Sequence, residues 1–350
     1  MSVSVSVSVS VSPSQGKKMS RYRIIYVPGH PAMQYHISRT GHDFHILANW
    51  EQFAYWRPKP ENVHSLLPEF RPEHLDFTVE DYRRLLTERD ERGSNPLGFP
   101  ERFDLAWSMW NDQYKVFRPF REIPKVHRVH KFTELDLEDY EEIFSRADFA
   151  LASYYEYTVD EVRERYGVTI PLIELGLSPV DYGGWTGEDP VILSVIHSWA
   201  SRGWHYGTYR EATAGLPTRH VDHLAPGPGG EPLKYEQVLA ELRRCRVYYH
   251  DGENEYTIAL VEAMMTGAPI VTCAMPFVER HVRHGVNGFV SDDPRELREY
   301  CRLLLDDRDL AARMGAASRR IALERFHEDR WIAQWNHLFD EFLAGRSVYS

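Results

Sequence analysis

Short apolar segments alternate with amphipathic segments along most of the chain, and this alternation constrains the fold more than any other feature. The first apolar run, Arg23–Val27, leads into a short helical stretch and then into a second run, Asp43–Leu47. The order strand, helix, strand favours parallel pairing, because parallel strands need a crossover connection. The alternation restarts after residue 190. It predicts an α/β protein with two doubly wound, Rossmann-like domains that face a central cleft.

The individual elements follow from periodicity and from turn residues. In the first half, strands are predicted at 23–27, 43–47, 103–107, 125–129, 149–152 and 171–175, and helices at 32–40, 79–92, 137–147 and 159–166. In the second half, strands are predicted at 191–196, 219–224, 246–249, 269–273 and 288–290, and helices at 204–214, 235–244, 257–265, 294–306, 310–326 and 329–343. The rest of the Pro- and Trp-rich stretch 50–100 is expected to form loops.

Composition shifts predict the domain boundaries. Residues 1–18 contain a Ser-Val repeat and are predicted to be a disordered low-complexity tail, so that translation could also begin at Met19. An N-terminal domain is expected over 19–180 and a C-terminal domain over 187–328. The Gly-, Pro- and Asp-rich segment 178–190 is typical of a linker. A last helix, within 329–350, is expected to be able to pack back on the N-terminal domain.

Charge and cysteine content exclude several classes of protein. The net charge of −11 over 350 residues argues against a nucleic-acid-binding protein with a global basic field. No stretch is apolar enough for a transmembrane helix, which leaves peripheral membrane association open. The 3 cysteines are widely spaced and form no CxxC pair, so we expect reduced thiols and a cytoplasmic location.

One acidic residue lies in a segment that is otherwise apolar. The predicted helix 257–265 is apolar nearly all round except for Glu262, and it ends before Gly267. A buried charge is costly without hydrogen bonds. The local pattern leaves two interpretations: Glu262 accepts hydrogen bonds from the vicinal hydroxyls of a ribose, or it faces solvent or caps a loop. The helix N-terminus around Tyr256–Ile258 would suit a phosphate, which together with a ribose indicates a nucleotide.

The run from Glu255 to Thr272 resembles the donor-binding signature of retaining GT-B glycosyltransferases of family four, also called group 1. Glu279 with the segment 284–290 resembles the E…DGxNGxLV segment of that family, and residues 306–320 resemble its tail. In the first half, 41–47 and 147–153 are similar to the family's GHEVxVL and ADxVxxxS strands. The resemblance covers about residues 19–330 and implies the GT-B fold with additional C-terminal helices.

The resemblance implies a nucleotide-sugar donor in the C-terminal domain and a hydroxyl acceptor in the N-terminal domain. It also implies retention of the anomeric configuration, with no metal ion or other cofactor. Glu262 matches the second carboxylate of the family's E-x₇-E motif, the ribose ligand, and Tyr256, Thr257 and Ile258 fall at the donor phosphate. Asn254 stands where the first carboxylate is expected. A one-residue shift would present Glu253 or Glu255 instead.

The diphosphate is expected to contact the loop after the first strand of the second domain. The family places an Arg and a Lys there, whereas this chain has His197 and Arg202. Arg202 could stabilise the charge that develops on the leaving nucleoside diphosphate. The alternative for Arg202 is a solvated surface arginine.

Acceptor-side residues come from the first domain. His130 falls where the family has an active-site histidine, and His127 is its rival; either could be an ordinary core or surface histidine. The turn Gly29-His30 resembles a Gly-rich turn that approaches the acceptor or the diphosphate. Four tryptophans are candidates for a stacking platform, although core packing is the favoured interpretation: Trp50, Trp56, Trp107 and Trp110.

These observations predict a metal-independent, retaining hexosyltransferase that moves a hexose from a nucleotide sugar to a hydroxyl acceptor. The alternative is a non-catalytic GT-B relative that binds a sugar nucleotide or a glycan, which Asn254 and His197 favour. Another GT-B reaction, such as epimerisation or phosphorolysis, is a third interpretation. The Asp307-Arg-Asp309 pair has the spacing of a metal-binding motif but is expected to be a helix cap or a solvated face.

Overall fold

The computed structural model describes residues 20–29, 31–50, 57–69, 77–196, 203–222, 233–250 and 254–350. Within these ranges the chain forms two parallel sheets with helices on their faces. The predicted tail 1–18 lies outside the described residues. None of the helices in the described ranges is long and apolar enough to cross a membrane.

The N-terminal half contains a six-stranded parallel sheet with the order β3-β2-β1-β4-β5-β6. Its strands are β1 (Arg23–Tyr26), β2 (Asp43–Ile46), β3 (Val63–Ser65), β4 (Leu105–Ser108), β5 (Lys125–Val129) and β6 (Phe149–Ser153). Its helices are α1 (Pro31–Ser38), α2 (Val79–Thr87), α3 (Asn111–Phe117), α4 (Leu137–Phe144) and α5 (Glu156–Tyr166). The strand order reverses between β1 and β4, so their carboxyl ends border a crevice of the kind in which ligands bind.

The C-terminal half contains a five-stranded parallel sheet with the order β11-β10-β9-β7-β8. Its strands are β7 (Asp189–Val195), β8 (Thr218–Val221), β9 (Cys245–His250), β10 (Ile270–Thr272) and β11 (Gly288–Val290). Its helices are α6 (Trp204–Thr213), α7 (Tyr235–Arg244), α8 (Ile258–Thr266), α9 (Pro294–Asp306) and α10 (Arg308–Arg325). Asp307 caps α10 by accepting a hydrogen bond from the Leu310 amide at 2.8 Å, as the sequence predicted.

The last helix, α11 (Glu328–Leu343), packs against the N-terminal half. The ring of Trp335 meets that of Trp107 edge-on at 6.2 Å. The Tyr22 hydroxyl donates a hydrogen bond to Asp340 at 2.5 Å. The chain thus returns from the second sheet to the first, and the contacts of α11 with the N-terminal half stabilise the packing of the two halves.

Several predicted elements of the N-terminal half were wrong. The predicted strand 171–175 forms only a single bridge, between Leu172 and Ser153, because the chain then turns toward the C-terminal half. There the Leu175 amide donates to the Tyr256 hydroxyl at 3.2 Å. Helix α2 ends at Thr87 rather than at residue 92, because the Asn95 amide donates to carbonyls of its last turn. Strand β3 and helix α3 were not predicted.

Candidate functional site

Helix α8 carries the acidic residue on which the sequence analysis concentrated. The helix begins after Thr257, whose side chain accepts a hydrogen bond from the Leu260 amide at 3.1 Å. It ends at Gly267, whose backbone adopts the left-handed conformation (φ 104°). Glu262 lies on this helix with 1% of its surface exposed. It therefore does not face solvent.

The Glu262 carboxylate has a specific partner from the segment between the two sheets. The Tyr182 hydroxyl donates a hydrogen bond to Glu262 Oε1 at 2.8 Å. Burial raises the pKa of Glu262 to about 7, against the lowering effects of this hydrogen bond and of the Arg57 charge. The pKa of Glu262 therefore lies near neutral pH, where the carboxyl changes between its protonated and its charged form.

The positive charge that acts on this carboxylate comes from the N-terminal half. The Arg57 guanidinium lies between the rings of Tyr35 and Tyr235, at 4.4 and 3.7 Å from their centroids. It donates to Asp181 Oδ2 at 2.9 Å. Because Arg57 lies between β2 and β3 and Tyr235 begins α7, this cluster joins the two halves next to Glu262.

The residues before α8 form the interface with the N-terminal half. Tyr256 is buried, and its hydroxyl donates to the Tyr154 carbonyl at 2.6 Å. In return, the Tyr155 hydroxyl donates to the Tyr256 carbonyl at 2.8 Å. Thr257 is the N-cap and Ile258 the first residue of α8, so the positive end of the helix lies at this interface.

Glu255 and Asn254 occupy different environments. The Glu255 carboxylate is 2% exposed and lies 2.9 Å from His281 Nε2. Burial, and after it the charge of Glu174, raises the pKa of Glu255 to about 8, while burial lowers the pKa of His281 to about 3. Asn254 is more exposed, and its carbonyl lies 3.3 Å from His250 Nε2.

On the N-terminal side, His130 follows strand β5 directly. Its ring stacks on Trp110 with centroids 4.3 Å apart and an angle of 10° between the planes. Arg128 Nη2 lies 3.1 Å from His130 Nε2. Because a guanidinium can only donate, Nε2 accepts this bond, and a neutral His130 carries its proton on Nδ1, where it can donate to a hydroxyl group.

His127, the alternative to His130, lies inside the core. It is fully buried, and its Nδ1 lies 2.9 Å from the Ser108 hydroxyl on the neighbouring strand. This position, two residues before the end of β5, is that of a core histidine. Among the predicted tryptophans, Trp50 and Trp107 are buried in the core, whereas Trp110 is 38% exposed beside His130.

Gly29 lies close to this pair. A Cβ atom at this position would come within 2.6 Å of Gln113 Nε2 and 2.9 Å of Trp110 Nε1, so a larger residue does not fit. Gly29 and Trp110 line the same cavity of about 280 Å³, which is mainly apolar. Gly29, Trp110 and His130 thus come together at the carboxyl ends of β1, β4 and β5.

The structure divides the predicted site residues into groups. It places Ile258 and Glu262 on α8 and Tyr256 and Thr257 directly before it. Gly29 and His130 lie on the facing half, with Asn254 and Glu255 between the two groups. His30, His197, Arg202 and Glu253 lie outside the described residues. Sequence reasoning missed Tyr182 and Arg57, which are distant from α8 in the chain and carry no motif. No group of three or more potential metal ligands occurs in the described ranges.

Comparison with known families supports the resemblance inferred from the motifs. The sequence model of the family described as "Glycosyl transferases group 1" matches residues 231–321, a segment that contains Asn254, Glu255 and all of α8. No curated protein sequence matches the chain.

Solved structures match over nearly the whole chain. Sucrose-phosphate synthase from Thermosynechococcus elongatus is 12% identical with a TM-score of 0.66, over 93% of this chain and 100% of that one. HepE from Anabaena, solved with UDP and glucose, is 14% identical with a TM-score of 0.63, over 91% and 100% of the two chains. A glycosyltransferase from Rickettsia africae is 12% identical with a TM-score of 0.63, over 92% and 99%. These likenesses show the fold, which is GT-B, as the sequence predicted.

Proposed function

We propose that this GT-B protein transfers a hexose from a nucleotide sugar to a hydroxyl acceptor, with retention of the anomeric configuration and without a metal ion. The group 1 match and the GT-B fold support the coarser statement, a glycosyltransferase that uses a nucleotide sugar. The HepE structures contain UDP with glucose, or UDP-glucose, which makes a UDP-sugar the first donor to test. A cytoplasmic location stays a prediction.

The observation that carries the proposal is the buried Glu262 carboxylate on α8. Among the residues that the structure describes, only Tyr182 donates to it, and only to Oε1, and a carboxylate has room for further donors. A ribose that presents two adjacent hydroxyls would supply them. The neighbouring N-terminus of α8 supplies backbone N–H groups and a positive dipole end for the phosphates.

The remaining residues have roles on the two sides of the reacting bond. Arg202 and His197 are proposed to lie against the diphosphate and to stabilise the charge that forms on it when the sugar leaves. The helix dipole of α8 acts in the same direction, so the proposal needs no metal ion. His130, with its proton on Nδ1, is proposed to position a hydroxyl of the sugar or of the acceptor. Gly29 is proposed to leave space for the acceptor, and His30, the next residue in the sequence, stays an acceptor-side candidate.

The test of the donor site is UDP binding to a Glu262→Gln variant, measured by isothermal titration calorimetry. The amide keeps the shape of the side chain and can still accept from Tyr182, but it loses the charge-assisted bonds to the ribose, so we expect UDP to bind about tenfold more weakly. Glu138→Gln, an exposed acid on α4, is the matched control. Unchanged affinity in the Glu262 variant would refute the site.

Retention and metal independence need an assay of turnover. Donor and product can be followed by proton NMR, in which the coupling constant of the anomeric proton shows whether the configuration is kept. We expect the same anomer in donor and product, and an unchanged rate in the presence of EDTA. An inverted product, or loss of activity that added metal restores, would contradict the respective part of the proposal.

A second candidate is a non-catalytic relative that binds a sugar nucleotide or a glycan, and Asn254 favours it. An amide at this position can bind a sugar hydroxyl but carries no charge. Slow release of UDP from the donor without an acceptor would support an enzyme. If wild type binds UDP-glucose without hydrolysing it, while Asn254→Glu gains hydrolysis, the binding protein is the correct description.

A further inference from the structure

A cavity of about 440 Å³ lies between the two halves of the molecule, next to the predicted sugar end of the donor site. Residues of α5 form one side, and the segments before α8 and after β10 form the other. It is lined by Tyr157, Asp160, Glu161, Glu164, Asn254, Glu255, Met275, Pro276 and Phe277. No lysine or arginine of the described chain lines it.

The most buried polar group in this lining is the Glu255 carboxylate. Its Oε1 faces His281, but its Oε2 is buried and has no hydrogen-bond partner among the described residues. His281 cannot serve as a counter-ion, because burial lowers its pKa to about 3 and keeps it neutral. Burial also raises the pKa of Glu255 to about 8, so at neutral pH the carboxyl holds a proton that a bound cation would displace. A buried carboxyl oxygen without a partner is costly and favours a donor from a ligand.

The nearby arginines are already engaged with other carboxylates. Arg163 binds Asp160 at 2.6 Å, and Arg325 binds Glu174 at 2.5 Å. Arg280 pairs with Glu156, beside the cavity. Glu161 and Glu164 stay exposed at the mouth with no ion pair among the described residues, so these two charges favour the approach of a cation.

Two aromatic side chains stand in the lining. The rings of Tyr157 and Phe277 are nearly parallel, at 24°, with centroids 6.4 Å apart. Phe277 has a positive φ of 69°, which is unfavourable for an aromatic residue and tends to occur where the surrounding structure requires it. The Arg280 guanidinium already lies 4.7 Å from the centroid of the Phe277 ring. The rings therefore offer apolar contact for the carbon skeleton of a ligand, and the carboxylates supply the attraction for a cation.

We propose that this cavity binds the protonated amine of a substrate, which is either an amino group on the acceptor or one on the transferred sugar. Glu255 accepts the ammonium hydrogen bond through Oε2, the two rings contact the carbon skeleton, and Glu161 and Glu164 attract the cation to the mouth. The inference rests on the proposed function, since it names a substrate class for the same cleft.

The experiment compares amines with their neutral acetylated forms. In one arm, UDP-saturated protein is titrated with D-glucosamine and with N-acetyl-D-glucosamine. In the other arm, protein without UDP is titrated with UDP-glucosamine and with UDP-N-acetylglucosamine. We expect about a tenfold preference for the amine in one arm, the scale of a charge-assisted hydrogen bond, and weaker binding as salt is raised. Preference in the first arm identifies an acceptor amine, and preference in the second alone identifies an amino sugar on the donor.

Variants show whether the cavity is responsible. Glu255→Gln should abolish the preference, and the surface pair Glu161→Gln and Glu164→Gln, which lies outside the core and should not disturb folding, should reduce it severalfold. Glu138→Gln should keep it. Equal binding of amine and amide in both arms, with UDP binding intact, overturns this inference alone, whereas loss of UDP binding by wild type would overturn the proposed function.

Discussion

Glu262→Gln is expected to stabilise the protein above neutral pH, although the same change weakens nucleotide binding. The cause is burial. Glu262 is 1% exposed, and burial raises its pKa to about 7, which means that the folded protein holds the proton more tightly than the unfolded chain does. Ionising this carboxyl in the folded state therefore lowers the free energy of unfolding, and a glutamine at this position does not ionise.

The sign and the size follow from proton linkage. A group whose pKa is raised on folding contributes stability that is fully present below its unfolded pKa and is lost as the pH rises through its folded pKa. The interval from the ordinary value of 4.5 to about 7 corresponds to about 3 kcal/mol. At pH 8 the glutamine variant should be more stable than wild type by up to about this amount, and at pH 4.5 the difference should nearly vanish.

Three neighbours of the Glu262 carboxyl do not disturb the comparison of wild-type and variant stability. The Tyr182 hydroxyl can donate equally to the glutamine carbonyl, and Tyr235 and Arg57 do not change charge between pH 4.5 and 8. For a domain of this size the stabilisation at pH 8 should raise Tm by roughly 6–12 °C.

The assay is thermal unfolding of wild type and variant at pH 4.5 and pH 8, followed by circular dichroism without nucleotide. Glu138→Gln, which replaces an exposed acid, should leave Tm within about 1 °C at both pH values. A Glu262→Gln variant that is less stable than wild type at pH 8, or that gains the same stability at both pH values, would refute the reasoning.

Three further predictions concern glycine and aromatic positions. Gly267→Ala should lower the stability by about 1–2 kcal/mol, because φ is 104° at the end of α8, and an unchanged urea midpoint would contradict this. Gly29→Ala should reduce the transfer rate while UDP binding is kept, since the new Cβ would lie 2.6 Å from Gln113 Nε2 and displace Trp110; equal kcat in both proteins would count against it. Trp110→Ala should lower kcat or raise the acceptor KM by removing the ring stacked on His130, with steady-state kinetics as the measurement and normal kinetics as the opposing result.

The fold was predictable where local signals agreed with tertiary packing. Helix α8 was expected at 257–265 and is found at Ile258–Thr266, because its apolar composition, its cap and its terminal glycine indicate the same ends. Strand β3 has three residues in a Pro- and Glu-rich stretch, and only its pairing with β2 defines it. The segment 171–175 has strand-like composition, but its hydrogen bonds go to the other half of the molecule.

The site was predictable only in part, for a related reason. Motifs placed Glu262 on a buried helix because burial can be read from the apolar neighbours of a residue. They gave no indication of Tyr182, which is 80 residues away in the chain and whose hydroxyl determines where the carboxylate points. Exposure of Trp110, against burial of Trp107 three residues earlier, likewise depends on which elements cover β4 and the loop after it.

The two buried carboxylates of this segment show how tertiary context assigns different chemistry to similar residues. Glu262 has the Tyr182 hydroxyl and the Arg57 guanidinium near it, both of which favour its charged form. Glu255 faces a neutral His281, and burial together with the negative charge of Glu174 raises its pKa to about 8. Near neutral pH the first is therefore the better acceptor for neutral hydroxyls, while the second gains more from a ligand that brings its own positive charge. Because the partners of both groups include residues of the N-terminal half or of the segment between the sheets, the pKa values of these carboxylates depend on how the two halves pack.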